Sequence, residues 1–208
     1  MTAVLALSLL AACKPTQFEA ASDIPPPLID RIPVVVGVHI PQEFREMVYA
    51  EKRAGGEYAI SLGKAQTDGF VRMMQAMFTR VVMLESPDTA ATTDAEIRGV
   101  LQPVLEDYAF VTPTESGTQS YAASLRYSVK LYTPRGELSD SWTFTGYGTQ
   151  PSSLFPGKGD AALKAATALA MRDAAAKLVA EFRDQAIARG LLPQPGAPVP
   201  TEVAPPTP

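Results

Sequence analysis

The sequence predicts an α+β domain, a mostly antiparallel sheet with two helices packed on one face, and three observations carry that expectation. Tyr121, Ala123, Leu125, Tyr127, Val129 and Leu131 alternate with Ala122, Ser124, Arg126, Ser128, Lys130 and Tyr132, the pattern of a long strand with one dry face. A strand over 138–148 returns after the Thr133-Pro134-Arg135-Gly136 turn, with Trp142 and Phe144 on one side. Two stretches, 67–79 and 160–189, repeat their apolar residues at helical spacing.

Taken in order, Val34-Val35-Val36-Gly37-Val38-His39-Ile40 is a β-branched run stopped by Pro41, read as a central strand covered on both faces. Residues 42–53 fit two descriptions: a helix behind Pro41 through Phe44, Met47 and Val48, or an edge strand through Phe44, Glu46, Val48 and Ala50. Gly55-Gly56 turns the chain into a short strand over 57–62, ended by Gly63. Thr67-Asp68 has an N-cap pattern, and Phe70, Val71, Met74, Met77 and Phe78 give the first helix its apolar face. Val81-Val82-Met83-Leu84 follows as a strand through the core, and 86–93 as a polar loop. Ile97, Leu101, Leu105, Tyr108 and Phe110 mark a strand broken or bulged at Pro103. The last helix has 12 alanines in its 30 residues, a smooth face for close approach. Its stripe of Leu163, Leu178 and Phe182 is expected to cover Trp142, and Gly190 and Pro193 end it.

The flanks differ in composition. Residues 14–33 carry Pro15, Pro25, Pro26, Pro27 and Pro33 without a sustained period and read as a tether; at about 3 Å per residue it reaches about 60 Å. Residues 190–208 read as a proline-rich, unfolded tail, and neither flank is expected to matter for folding. At the start, Val4-Leu5-Ala6-Leu7-Ser8-Leu9-Leu10-Ala11-Ala12 is too short to span a bilayer, which takes about 20 residues, but has the length of a signal-peptide core. Met1-Thr2 brings no lysine or arginine, so the positive flank of such a signal is expected upstream.

Leu10-Ala11-Ala12-Cys13 resembles the lipobox of bacterial lipoproteins, and Cys13 is the sole cysteine. The resemblance implies removal of 1–12, diacylation of the Cys13 thiol and acylation of the new amino group, two or three chains being what stable anchoring takes. Lys14, where an aspartate would retain the product at the inner membrane, implies the outer membrane and its periplasmic face. The expected organisation is therefore a signal over 1–12, a lipidated tether over 13–33, one domain over 34–189 and a tail over 190–208.

A net charge of −4 with acids and bases interspersed leaves no basic stripe for nucleic acid. With one histidine, one cysteine and no calcium-loop spacing, neither a metal nor a cofactor is expected. His39 reads as a structural histidine. Ser61-Leu62-Gly63-Lys64 matches the nucleophile motif of penicillin-binding enzymes without its partner motifs, and Gly157-Lys158-Gly159-Asp160 lacks phosphate-loop spacing. Met73, Met74 and Met77 read as core or, alternatively, as an adaptable partner contact. The layout of 34–189 resembles small periplasm-facing lipoproteins such as the auxiliary lipoproteins of ABC-type transporters. It implies a non-enzymatic accessory or assembly subunit of an envelope transport complex, acting through a protein partner, with oligomeric state open. The alternatives are a lipid or glycan carrier, which needs a long apolar groove between sheet and helices, and an envelope hydrolase, which needs a deep pocket with convergent polar groups.

Overall fold

The computed structural model describes residues 16–21, 24–53 and 56–192; the signal, Cys13 and the tail beyond 192 lie outside the described residues. Its elements are β1 (Thr16–Glu19), β2 (Ile32–His39), α1 (Gln42–Arg45), β3 (Val48–Arg53), β4 (Gly56–Ser61), α2 (Gly63–Met77), β5 (Phe78–Leu84), α3 (Ala90–Thr93), β6 (Ile97–Val111), α4 (Pro113–Ser116), β7 (Ser120–Tyr132), β8 (Leu138–Pro151) and α5 (Gly159–Ala188). The fold is α+β, with a five-stranded sheet ordered β5-β2-β6-β7-β8 and a three-stranded sheet ordered β1-β4-β3.

Both sheets are mixed, which corrects the expectation of one mostly antiparallel sheet. β2 runs parallel to β5 and to β6, and β1 parallel to β4, while β3–β4, β6–β7 and β7–β8 are antiparallel. Parallel neighbours need a crossover of about a dozen residues or more. The β3–β4 hairpin with α2 supplies one between β2 and β5, and the 85–96 segment carries the chain past β2 into β6. β5 is consequently an edge strand, not a strand through the core. Among the described residues five α-helices replace the expected two: α2 and α5 are the long ones, and α1, α3 and α4 are single turns of 4 residues each.

Residues 42–53 satisfy both of their descriptions in succession, one helical turn that buries Phe44 and then the edge strand β3. α2 begins at Gly63, ahead of the Thr67-Asp68 pattern, because the Leu62 and Gly63 N–H groups donate to the Met47 carbonyl at 2.9 and 3.0 Å and need no side-chain cap. β6 keeps its ladder through Pro103, which faces Val129; the β2 ladder ends at Leu101, so the proline removes no bond on that side. The register shift lies between Leu105 and Asp107, where Glu106 is the extra residue.

The main core lies between the five-stranded sheet and the two long helices. Phe182 of α5 meets Trp142 and Phe78 edge-on, with centroids at 5.8 and 5.2 Å, the Trp142–Phe182 cover the sequence led us to expect. A smaller apolar cluster, Leu84, Ala90, Ile97 and Val100, lies on the other side with Val35 and Val82 against it, so β2 is covered on both faces. Among the described residues no helix is long and apolar enough to cross a membrane.

The flanks correct the expected boundaries. Thr16 to Glu19 pair with Tyr58 to Ser61, Ala20 is buried, and Phe18 and Ile24 pack on the main core. At the other end Gly190 takes φ +75°, a conformation open to glycine, and the Leu191 and Leu192 N–H groups turn back onto the Ala186 carbonyl at 2.9 and 3.2 Å. Both leucines are buried. The folded unit thus takes in Thr16 to Ala20 and Leu191 to Leu192, beyond the expected 34–189. Single apolar residues scattered among prolines carry no period, yet Phe18, Ala20 and Ile24 find places on the core, whereas Leu28 stays exposed.

Candidate functional site

A hollow of about 860 Å³ opens at the end of the molecule where α5 begins. Five separate segments meet there: Thr16 and Gln17 from β1, Tyr58 from β4, Thr112 to Glu115 around α4, Tyr121 where β7 begins, and Gly159 and Asp160 where α5 begins. The α4 turn is fixed by a reciprocal cap, Glu115 N–H donating to the Thr112 hydroxyl at 3.4 Å and Thr112 N–H to the Glu115 carboxylate at 2.9 Å. Behind it Arg53 donates to the Phe110 carbonyl at 2.9 Å and to Glu51 at 2.6 Å, and its guanidinium lies 4.0 Å from the centre of the Phe110 ring. Tyr58 packs on the same ring from the side, at 4.8 Å.

The hydrogen bond from the Thr112 N–H holds the Glu115 carboxyl below its usual range, and the Thr112 hydroxyl and Arg53 act in the same direction. Burial pushes the Tyr58 phenol up. Among the described residues no cluster of histidine, cysteine, aspartate and glutamate is placed to hold a metal ion.

Between sheet and helices, where a carried acyl chain would lie, the apolar gap is about 40 Å³, bounded by Phe70, Met73, Phe144 and Met171. Gln66 borders it, donating to the Phe44 carbonyl at 2.8 Å and accepting from the Tyr127 hydroxyl at 3.4 Å. A second open hollow, about 810 Å³, lies outside the core between residues 27–32 and Val179 to Arg183 of α5, with Leu28 fully exposed on its rim.

The sequence-derived candidates fall apart from one another. Cys13 lies outside the described residues. Met73, Met74 and Met77 are all buried, at 4, 0 and 0% exposure, which corrects their alternative reading as a partner contact. They belong to the apolar face of α2, and that face is spent on the core. His39 is half-buried, with Nδ1 3.2 Å from the Leu84 carbonyl, a structural contact. Ser61 closes β4, and Lys64 turns to Asp68 at 2.5 Å instead of to that serine. Sequence reasoning missed the hollow because its walls come from five distant segments; the Thr112-Pro113-Thr114-Glu115 capping pattern was its one local signal.

No protein-family model matches the sequence, and no curated protein sequence does. Among solved structures the chain is similar to a Xanthomonas campestris protein of the DUF330 family, at 14% identity and TM-score 0.50, over 81% of this chain and 98% of that one. That likeness shows a shared fold. A Chlamydia trachomatis protein matches at 11% identity and TM-score 0.45 over 76% and 99% of the two chains. A minor lipoprotein of Acinetobacter baumannii matches at 8% identity and 0.40 over 75% and 95%.

Proposed function

We propose that the protein is a bacterial lipoprotein anchored through Cys13 at the periplasmic face of the outer membrane, serving without catalysis as an accessory or assembly subunit of an envelope transport complex. The observation that carries the reading is the Leu10-Ala11-Ala12-Cys13 lipobox three residues ahead of β1, at the start of a domain whose hollow at that end holds phenols, threonines and the hydrogen-bonded Glu115 carboxylate. Neither alternative has comparable support. A hydrolase needs a nucleophile beside a base, and the Ser61–Lys64 pair is not brought together. A carrier needs an apolar groove between sheet and helices, and the space there is about 40 Å³.

The test is metabolic labelling with a radioactive fatty acid, in wild type and in Cys13→Ser. Label in the wild type alone, with the serine variant uncleaved or released from the membrane, is expected; equal label in both sinks the reading. Purification of the labelled protein in detergent should then bring down a defined envelope protein, and a lone monomer would argue against the subunit role.

A further inference from the structure

We infer that the domain does not stand off from the bilayer but rests on it, with the loop between β8 and α5 dipping Leu154 into the lipid. The inference builds on the proposed anchoring of Cys13. Its first ground is distance. Thr16 is already hydrogen-bonded into a sheet, and three residues of fully extended chain span at most about 11 Å. A lipid on Cys13 therefore holds Thr16 within roughly that distance of the headgroups.

The second ground is what shares that end of the molecule. Thr16 and Gly159 line the same hollow, and Gly159 directly follows the 152–158 loop. The loop is tied down there: the Ser152 N–H donates to the Gln119 carbonyl at 2.8 Å, and so does the Ser152 hydroxyl, at 2.9 Å. On it Leu154 is 66% exposed, Phe155 is half-buried and Lys158 is exposed. An unburied leucine beside a phenylalanine, followed by a lysine, fits an interface where the apolar tips enter the acyl boundary and the ammonium stays among phosphates. The opposite pole is far off. β7 runs 13 residues away from this end, about 43 Å, to the turn that carries Arg135.

The test uses the full lipidated chain in vesicles of phosphatidylethanolamine and phosphatidylglycerol that contain a nitroxide-bearing lipid. Leu154→Cys and Arg135→Cys are each labelled with an environment-sensitive fluorophore, Cys13 being blocked by its own acylation. The expected result is a blue-shifted label at 154, quenched several-fold more strongly than the label at 135. Protein that floats with the vesicles while both labels stay unquenched overturns the inference and leaves the anchor standing. Protein that takes up no fatty acid and does not float overturns the anchor, and this inference with it.

Discussion

α5 holds β8 in two different ways along its length. Over its first half the contact is backbone on backbone: a side-chain carbon added at Gly146 would lie 2.0 Å from the Ala170 carbonyl oxygen, and one at Gly148 2.1 Å from that of Ala166. Over its second half the contact is ring on ring, Phe182 between Trp142 and Phe78. The first seam tolerates no atom added and the second none removed. Alongside both, polar side chains of the helix and of its C-terminal cap close the outer edge of β8: Asp173 accepts the Tyr147 N–H at 2.9 Å, Lys177 donates to the Thr145 carbonyl at 2.7 Å, and Arg189 to that of Ser141 at 3.2 Å.

The largest effect is expected at the ring seam. Phe182 is 1% exposed, and Phe182→Ala should cost about 3–5 kcal/mol, read as a fall in the midpoint of urea unfolding together with a red shift of Trp142 fluorescence. An unmoved midpoint would mean that the glycine seam holds the helix alone. Next comes Gly148→Ala, which by chain entropy alone would stabilise a strand yet should here cost about 1–3 kcal/mol, because backbone cannot yield as a side chain can. A neutral result would show that α5 can lift without loss and would erase the contrast between the seams.

The smallest effect concerns the edge. The Lys177 ammonium, with the Tyr147 N–H, holds the Asp173 carboxyl below its usual range. A folded-state value below the unfolded one stabilises fully above the unfolded value of about 3.9 and is lost as pH falls through the lower folded value. Asp173 is 39% exposed, so solvent keeps this contribution under about 1 kcal/mol. Asp173→Asn should therefore melt below wild type at pH 7 and converge with it as the pH falls through the lowered folded value. A constant gap across that range would show that the carboxylate's charge is immaterial.

How far the sequence revealed this molecule depends on how local each signal was. The β7–β8 hairpin, the alanine face of α5 and the pairing of Trp142 with Phe182 follow from periodicities inside single elements, and the structure has all three. Which strands neighbour β2 was not written in any period, since parallel pairing is settled by crossovers. Thr67-Asp68 misled because the real helix start was satisfied by the Met47 carbonyl, 15 or more residues upstream. β1 escaped notice because four residues among prolines are too few to show alternation, and its partner β4 lies some 40 residues away. The hollow at the start of α5 was least legible, being assembled from five segments of which only the α4 cap leaves a local mark.

That short β1 strand also sets how the protein would bear load. If a partner grips the far end of the domain while lipids hold Cys13, tension enters the fold at Thr16 and runs along β1 against β4. Pulled lengthwise, a strand strains its rungs together, in shear, instead of parting them one after another as a zipper does. Four residues in register with Tyr58 to Ser61, backed by Ala20 on the Ser61 carbonyl at 2.9 Å, would then act as a mechanical clasp. The lifetime of the anchored domain under force would be set by the rate at which that clasp slips.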